Sequence, residues 1–241
     1  MTQTAPGTGR RVSEARERLL RTAARLFYAE GIHTVGVDRL VAEAKVTNAT
    51  FYRHFRSKDD LAVAYIGGVD QAVRGQIGSL MATDLPADGI LRGIGASLAE
   101  QIASPGYRGC AFLNAAAEYP SPEAPVHRAV VHHREWFLQT ITGLFAEVSD
   151  APAEPAWHFV MLRDGAMSAG HLGDPAPAGE TLTRGIDGLL RVHCGRGAHA
   201  PAAGSARAPA ADADAPAKHP AADADAPEPP AAGIDCAPSG A

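Results

Sequence analysis

Apolar side chains return at spacings of three and four from residue 12 to residue 194 with hardly a break. That is the period of helices that each bury one face, and no strand-like alternation competes with it. The first helix is predicted to open at Ser13, a good N-cap, and to turn Ala15, Leu19, Ala23 and Leu26 inward. Glu14 with Arg18 and Glu17 with Arg21 make i,i+4 pairs on its outer side, and Gly31 ends it. A shorter helix follows from Val37 to Ala44, burying Val37, Leu40 and Val41. Val46 fills a turn, Thr47 caps a third helix, and Phe51 and Phe55 face inward four residues apart. Ser57 opens a fourth, with Asp60 placed as in a capping box and a stripe of Leu61, Tyr65, Val69, Val73, Ile77 and Leu80. Gly67 and Gly68 interrupt it, each costing about 1 kcal/mol relative to alanine. The pair marks either close packing or a hinge.

Four or five further helices fit 87–194. Ile90, Ile94, Leu98 and Ile102 mark one, and residues 109–119 another that Pro120 ends. Val126, Val130, Phe137, Ile141, Leu144 and Val148 mark a long one. Trp157, Met161, Met167 and Leu172 mark the next, and Leu182, Ile186, Leu189 and Val192 the last. The expected fold is all-α with about nine helices.

The chain divides as a flexible arm (1–12), a helix-turn-helix domain (13–66), a helical regulatory and dimerisation domain (67–194) and a tail (195–241). The tail holds 19 Ala and 8 Pro in 47 residues, with PAADADAP at 209–216 and again at 220–227. Such a composition predicts disorder. No run of 18 apolar residues exists and the N-terminus has no apolar signal core, so a cytoplasmic protein is expected. Cys110, Cys194 and Cys236 are odd in number and lack metal-ligand spacing, which fits a reducing compartment. Charge is unevenly spread. The net −5 resolves into +4 over 1–66, −6 over 67–194 and −3 over 195–241. A basic module on an acidic body is the footprint of a polyanion binder.

The stretch KVTNATFYRHF at 45–55 sharpens this. Helix, tight turn, helix, with a small polar first turn on the second, is the layout of a major-groove reader. Thr47, Asn48, Ala49 and Thr50 are small or able to donate and accept, as base edges require. Asn48 suits an adenine edge. Tyr52, Arg53, His54 and Lys58 are placed for flanking phosphates, and Val37 and Arg39 for contacts from the second helix.

These residues carry a resemblance. GIHTVGVDRLVAEAKVTNATFYRHFRSKDDL resembles the DNA-binding signature of the TetR family of bacterial repressors, with Thr47, Thr50, Phe51, Tyr52, His54, Phe55, Ser57, Lys58 and Leu61 on its fixed positions. The match covers about residues 13–66. Lys45 stands where the family usually has glycine in a left-handed turn, Gly36 where a Thr or Ser cap is common, and Asp38 where an arginine often reaches DNA. The resemblance implies a homodimer on a pseudo-palindromic double-stranded operator, released by a small-molecule inducer held in the larger domain. For the dimer it points to the last two helices, with Ala166, Ala169, Gly170, Leu182, Gly185, Ile186 and Leu189.

Candidates for the ligand site are Cys110 and Asn114, on a stripe that ends at Glu118, and His133 with Trp136 and Phe137. Trp157, Met161, Asp164 and Met167 complete the set. Asp164 sits among apolar residues and requires a cationic partner. His132 and His133 point to opposite sides and no cysteine completes a site, so neither metal nor cofactor is expected. An enzyme using Cys110 lacks an orienting group. A ligand-free architectural protein is the other alternative, but a body of some 128 residues is large for that role.

Overall fold

The computed structural model describes residues 8–193, with side chains from Glu14 onward. These belong to a compact unit spanning 1–200, and a second unit, 201–241, lies outside the described residues, as do the arm at 1–7 and the tail on which disorder was expected. Among the described residues there are nine helices and no strand. They are α1 (Thr8–Glu30), α2 (Val37–Glu43), α3 (Asn48–His54), α4 (Lys58–Met81), α5 (Ala87–Ile102), α6 (Ala111–Glu118), α7 (Pro125–Ala146), α8 (Ala153–Leu172) and α9 (Pro175–His193). None is long and apolar enough to cross a membrane.

Local chemistry sets most boundaries. Thr47 accepts from the Thr50 amide at 3.1 Å and Ser57 from the Asp60 amide at 3.0 Å, so both expected caps form. The Asp60 carboxylate takes Arg56 instead of closing a capping box. Lys45 adopts φ 53°, the left-handed conformation expected there. Gly36 N-caps α2 without a side-chain bond. The start of α1 differs from expectation: the helix opens at Thr8, so Ser13 is interior to it. Nothing between residues 8 and 13 is a helix breaker other than Gly9, which one turn tolerates.

The first three helices share a small core of Leu19, Ala23, Leu26, Leu40, Phe51 and Phe55, and Leu61 and Ala62 of α4 close it. The border expected at 66/67 falls inside α4, which runs unbroken from that core into the body. There it packs on α7 and α5. In the body, α5, α8 and α9 meet closely through glycines. A Cβ on Gly95 would lie 2.4 Å from Ile186 Cδ1, and one on Gly170 would lie 2.4 Å from Ile102 Cγ2. Gly67 and Gly68 face open space, so close packing is not what they serve.

The buried face of α8 is Ala156, Phe159, Val160, Arg163 and Met167. The expected stripe was rotated from this. Trp157 is 54% exposed and Met161 66%, and Leu172 is exposed too. Val192 likewise faces outward on α9, where Leu190 is the buried residue.

Candidate nucleic-acid interface and regulatory cavity

Thr47, Asn48 and Ala49 at the start of α3 are exposed, with Thr50 half-buried behind them. The Thr47 and Thr50 hydroxyls lie 3.0 Å apart. Tyr52 and Arg53 are exposed on the same short helix, while Phe51 fastens it to the core. The first turn therefore exposes small and amphoteric side chains, Tyr52 and Arg53 follow them outward, and Phe51 is turned inward.

Four other residues expected at this face stand differently. Val37 is half-buried against the core. Arg39 is held by Glu30, with Nη2 at 2.7 Å from Oε1, and by Glu43 at 3.1 Å from Nε, and Arg25 joins the same Glu43. Lys58 donates Nζ to the carbonyls of Ile32 at 3.1 Å and His33 at 3.3 Å, which turns it toward the α1–α2 loop instead of outward. His54 is partly buried with Nε2 shielded and unpartnered, and burial beside Arg53 and Arg16 lowers its pKa.

Between α1, α4, α5 and α8 lies a cavity of about 300 Å³. Val69, Val73, Ile77 and Leu80 of α4 line one wall and Ile94 and Leu98 of α5 another, with Gln76, Ser97 and Gln101 as polar points. Of the nine candidate ligand residues, Cys110, Phe137 and Met167 line it. The other six do not. Asn114 is exposed and donates to the Arg108 carbonyl at 2.9 Å. Trp157 and Met161 point away from the body. Trp136 lies under the Arg74 guanidinium at 4.1 Å.

Asp164 has its cationic partners within the chain: Arg163 Nη1 at 2.9 Å and Arg134 Nη2 at 2.8 Å. His133 is fully buried and stacks on Phe112, centroids 3.6 Å apart and planes 4° from parallel. Its Nδ1 lies 2.7 Å from Asp70 Oδ1, so Nδ1 is the donor, since a carboxylate only accepts. Burial, helped by the charges of Arg163 and Arg74, lowers the His133 pKa to about 4 against the opposing pull of Asp70. Burial works to raise the Asp70 carboxyl, but hydrogen bonds from Arg74 and His133 outweigh it and hold it below its ordinary value. His133 is thus a core residue behind the cavity wall, with Nδ1 donating to Asp70 and Nε2 buried without a hydrogen-bond partner.

Sequence reasoning missed Arg163. It is 4% exposed, lines the cavity, contacts Cys110 Sγ at 3.7 Å and lies 4.9 Å from the Phe137 ring centroid. It also missed what α6 does at its far end. Cys110, Ala111 and Phe112 line the cavity where α6 begins. Where it ends, Glu118 accepts from the backbone amides of Ile32 at 2.8 Å and His33 at 2.6 Å, in the α1–α2 loop. Tyr119 donates to Asp59 Oδ1 at 2.6 Å, and Tyr28 bridges Arg108 N and Gly109 O. One eight-residue helix, about 12 Å long, joins cavity to reading head.

A broad open groove of about 1220 Å³ runs between α8 and α9. Ala166, Ala169, Leu182, Gly185 and Leu189 line it. Gly170 and Ile186, expected there too, are instead consumed within the subunit by α5, because only a missing side chain allows those helices to approach.

A family model described as "Bacterial regulatory proteins, tetR family" matches residues 19–65. A crystal structure of a TetR-family transcriptional regulator from Streptomyces coelicolor is 55% identical, covering 76% of this chain and 97% of that one with a TM-score of 0.74. A TetR regulator from Chloroflexus aurantiacus, 21% identical over 76% of this chain and 98% of its own at a TM-score of 0.67, shares the fold. Among curated proteins, the HTH-type transcriptional regulator TcmR of Streptomyces glaucescens is 35% identical over 63 residues, 26% of this chain and 28% of its own. LmrA of Bacillus subtilis (strain 168) is 31% identical over 80 residues, 32% of this chain and 42% of its own. The chain therefore spans less than half the length of the curated relatives it matches.

Proposed function

Because the chain belongs to the TetR family of DNA-binding transcriptional regulators, we propose that it is a ligand-responsive repressor that binds a pseudo-palindromic operator as a homodimer. Asn48, with Thr47, Ala49 and Thr50, reads base edges in the major groove, where an Asn–adenine pair is worth ~1–3 kcal/mol of discrimination. Tyr52 and Arg53 hold the flanking phosphates. Lys58 and Arg39 are engaged within the chain and leave the expected contact set. One short helix reads few base pairs, so a second copy at the α8–α9 groove supplies the other half-site.

The observation that carries the ligand response is the double engagement of α6. Its first residues wall the cavity and its last hold the α1–α2 loop and the start of α4. A small molecule filling the cavity shifts α6, and Glu118 transmits that shift to the loop beneath α2 and α3. The distance between the two reading helices changes, and operator affinity falls. This couples two sites through a shared element, as allostery requires. A ligand-free architectural role leaves the cavity without a use.

Selection from a random double-stranded library at near-physiological salt tests the reading. A pseudo-palindrome bound by two subunits, with selectivity relaxed by Asn48→Ala, is expected. Binding without an enriched motif that fades uniformly with salt would mean that only phosphates are read.

A further inference from the structure

We infer that the cavity takes an organic monoanion, a carboxylate or an oxyanion of the same planar shape on an apolar body, gripped by Arg163. The assignment rests on the cavity being the regulatory site. Arg163 is 4% exposed, so its guanidinium donors need acceptors from within the fold. Nη1 has one, Asp164 Oδ1 at 2.9 Å. Nη2 meets only Cys110 Sγ at 3.7 Å, a weak acceptor. Nε has no partner. The Nε and Nη2 N–H groups lie along one edge of the planar guanidinium, the edge that grips a carboxylate with two parallel bonds. It is this fork that the fold leaves without an oxygen.

Charge points the same way. The other oxygen of Asp164 takes Arg134 Nη2 at 2.8 Å, so one carboxylate serves two guanidiniums. Another carboxylate of the body, Asp70, is engaged by Arg74 and by the neutral His133. A cationic ligand would meet an excess of positive charge, and an uncharged apolar one would leave Nε stranded, which costs free energy in a dry site. An anion removes both penalties. Most of the remaining wall is apolar, with Val69, Ile77, Leu98 and Met167 beside the uncharged polar Gln76, Ser97 and Gln101, and Phe137 covers one face of the guanidinium. A cavity near 300 Å³ is at the low end for small-molecule sites, so the acid is small.

The test uses the purified full chain and three acids, octanoate, 4-phenylbutyrate and 1-naphthylacetate, each beside its primary amide. Affinities come from calorimetry, with thermal shift as a second readout. At least one acid is expected to bind, its amide at least tenfold more weakly. Arg163→Gln should reduce acid binding to the level of the amide and leave the amide unchanged, with Arg163→Lys falling between. Should Arg163→Gln fail to fold, the acid–amide comparison on the unaltered chain decides alone. Amides that bind as well as their acids, or no binding by either series, overturn the assignment. Operator competition separates it from the reading on which it rests. An acid that binds through Arg163 without releasing DNA supports the anion site and overturns the inducer role. Equal release by acid and amide supports the inducer role and overturns the anion site.

Discussion

His133 joins α7 to α4 through Asp70, and its burial ties folding to pH. Its pKa is about 4 in the folded chain and about 6.5 when unfolded. As pH falls below 6.5 the unfolded chain takes up a proton that the folded one refuses. Stability is therefore full above about 6.5 and drains toward pH 4, by up to ~1.4 kcal/mol per pH unit at the steepest. Below that the folded form also protonates and the loss stops. Asp70, with its lowered pKa, contributes only to losses at more acid pH. Urea midpoints at pH 7, 5.5 and 4.5 should fall for the unaltered chain and stay flatter for His133→Gln. Parallel declines would assign the effect elsewhere. At this scale the sequence was readable where chemistry is local. Thr47 and Ser57 cap as their types demand, and Lys45 is left-handed because the turn requires it. Arg163 escaped because the expected Trp157–Met161 stripe was rotated from the face that is buried, which left Arg163 outside it. Only the third dimension shows it walled in by Cys110 and Phe137.

Helix α4 belongs to both parts of the chain: Leu61 and Ala62 complete the core of the first three helices, and Val69, Val73, Ile77 and Leu80 wall the cavity. Gly67 and Gly68 lie between those duties with open space around them. Alanines there fit without clash and add about 1 kcal/mol of helix stability each. Gly67→Ala with Gly68→Ala should raise the melting temperature and blunt the release of DNA by cavity ligands. A higher melting temperature with an unchanged ligand response would remove the hinge and leave the two glycines as no more than a weak point in helix propensity. The helices themselves were legible from their spacing, but their phase was not always. The Trp157–Met161 stripe suggested a core because periodicity reports that a face is apolar, not what covers it. Glu118 was legible as the end of a polar stripe, but not its role, since its partners are backbone amides 85 and 86 residues away that carry no side-chain signature.

For the whole molecule, the α8–α9 groove with exposed Met161 beside it is where the second copy is expected. Met161→Glu alters a side chain that the single subunit leaves largely in water, so folding should be unaffected. A carboxylate buried at the joint would convert dimer to monomer and lower operator affinity at least tenfold, read by sedimentation and by DNA titration. A dimer that persists with full affinity would move the interface elsewhere. The grip of Glu118 on the reading head has a further meaning. It holds peptide N–H groups, which every residue but proline presents alike, beside a glycine at position 31 whose added Cβ would approach Glu118 Oε1 to 3.3 Å. The two bonds of Glu118 are therefore indifferent to the spelling of the loop, while Tyr119 reads side chains, Asp59 by a hydrogen bond and His33 by a ring contact. Reading heads that keep this glycine, the loop length, Asp59 and an aromatic partner at position 33 should be interchangeable on this body, each arriving with a new operator and answering to the same ligand.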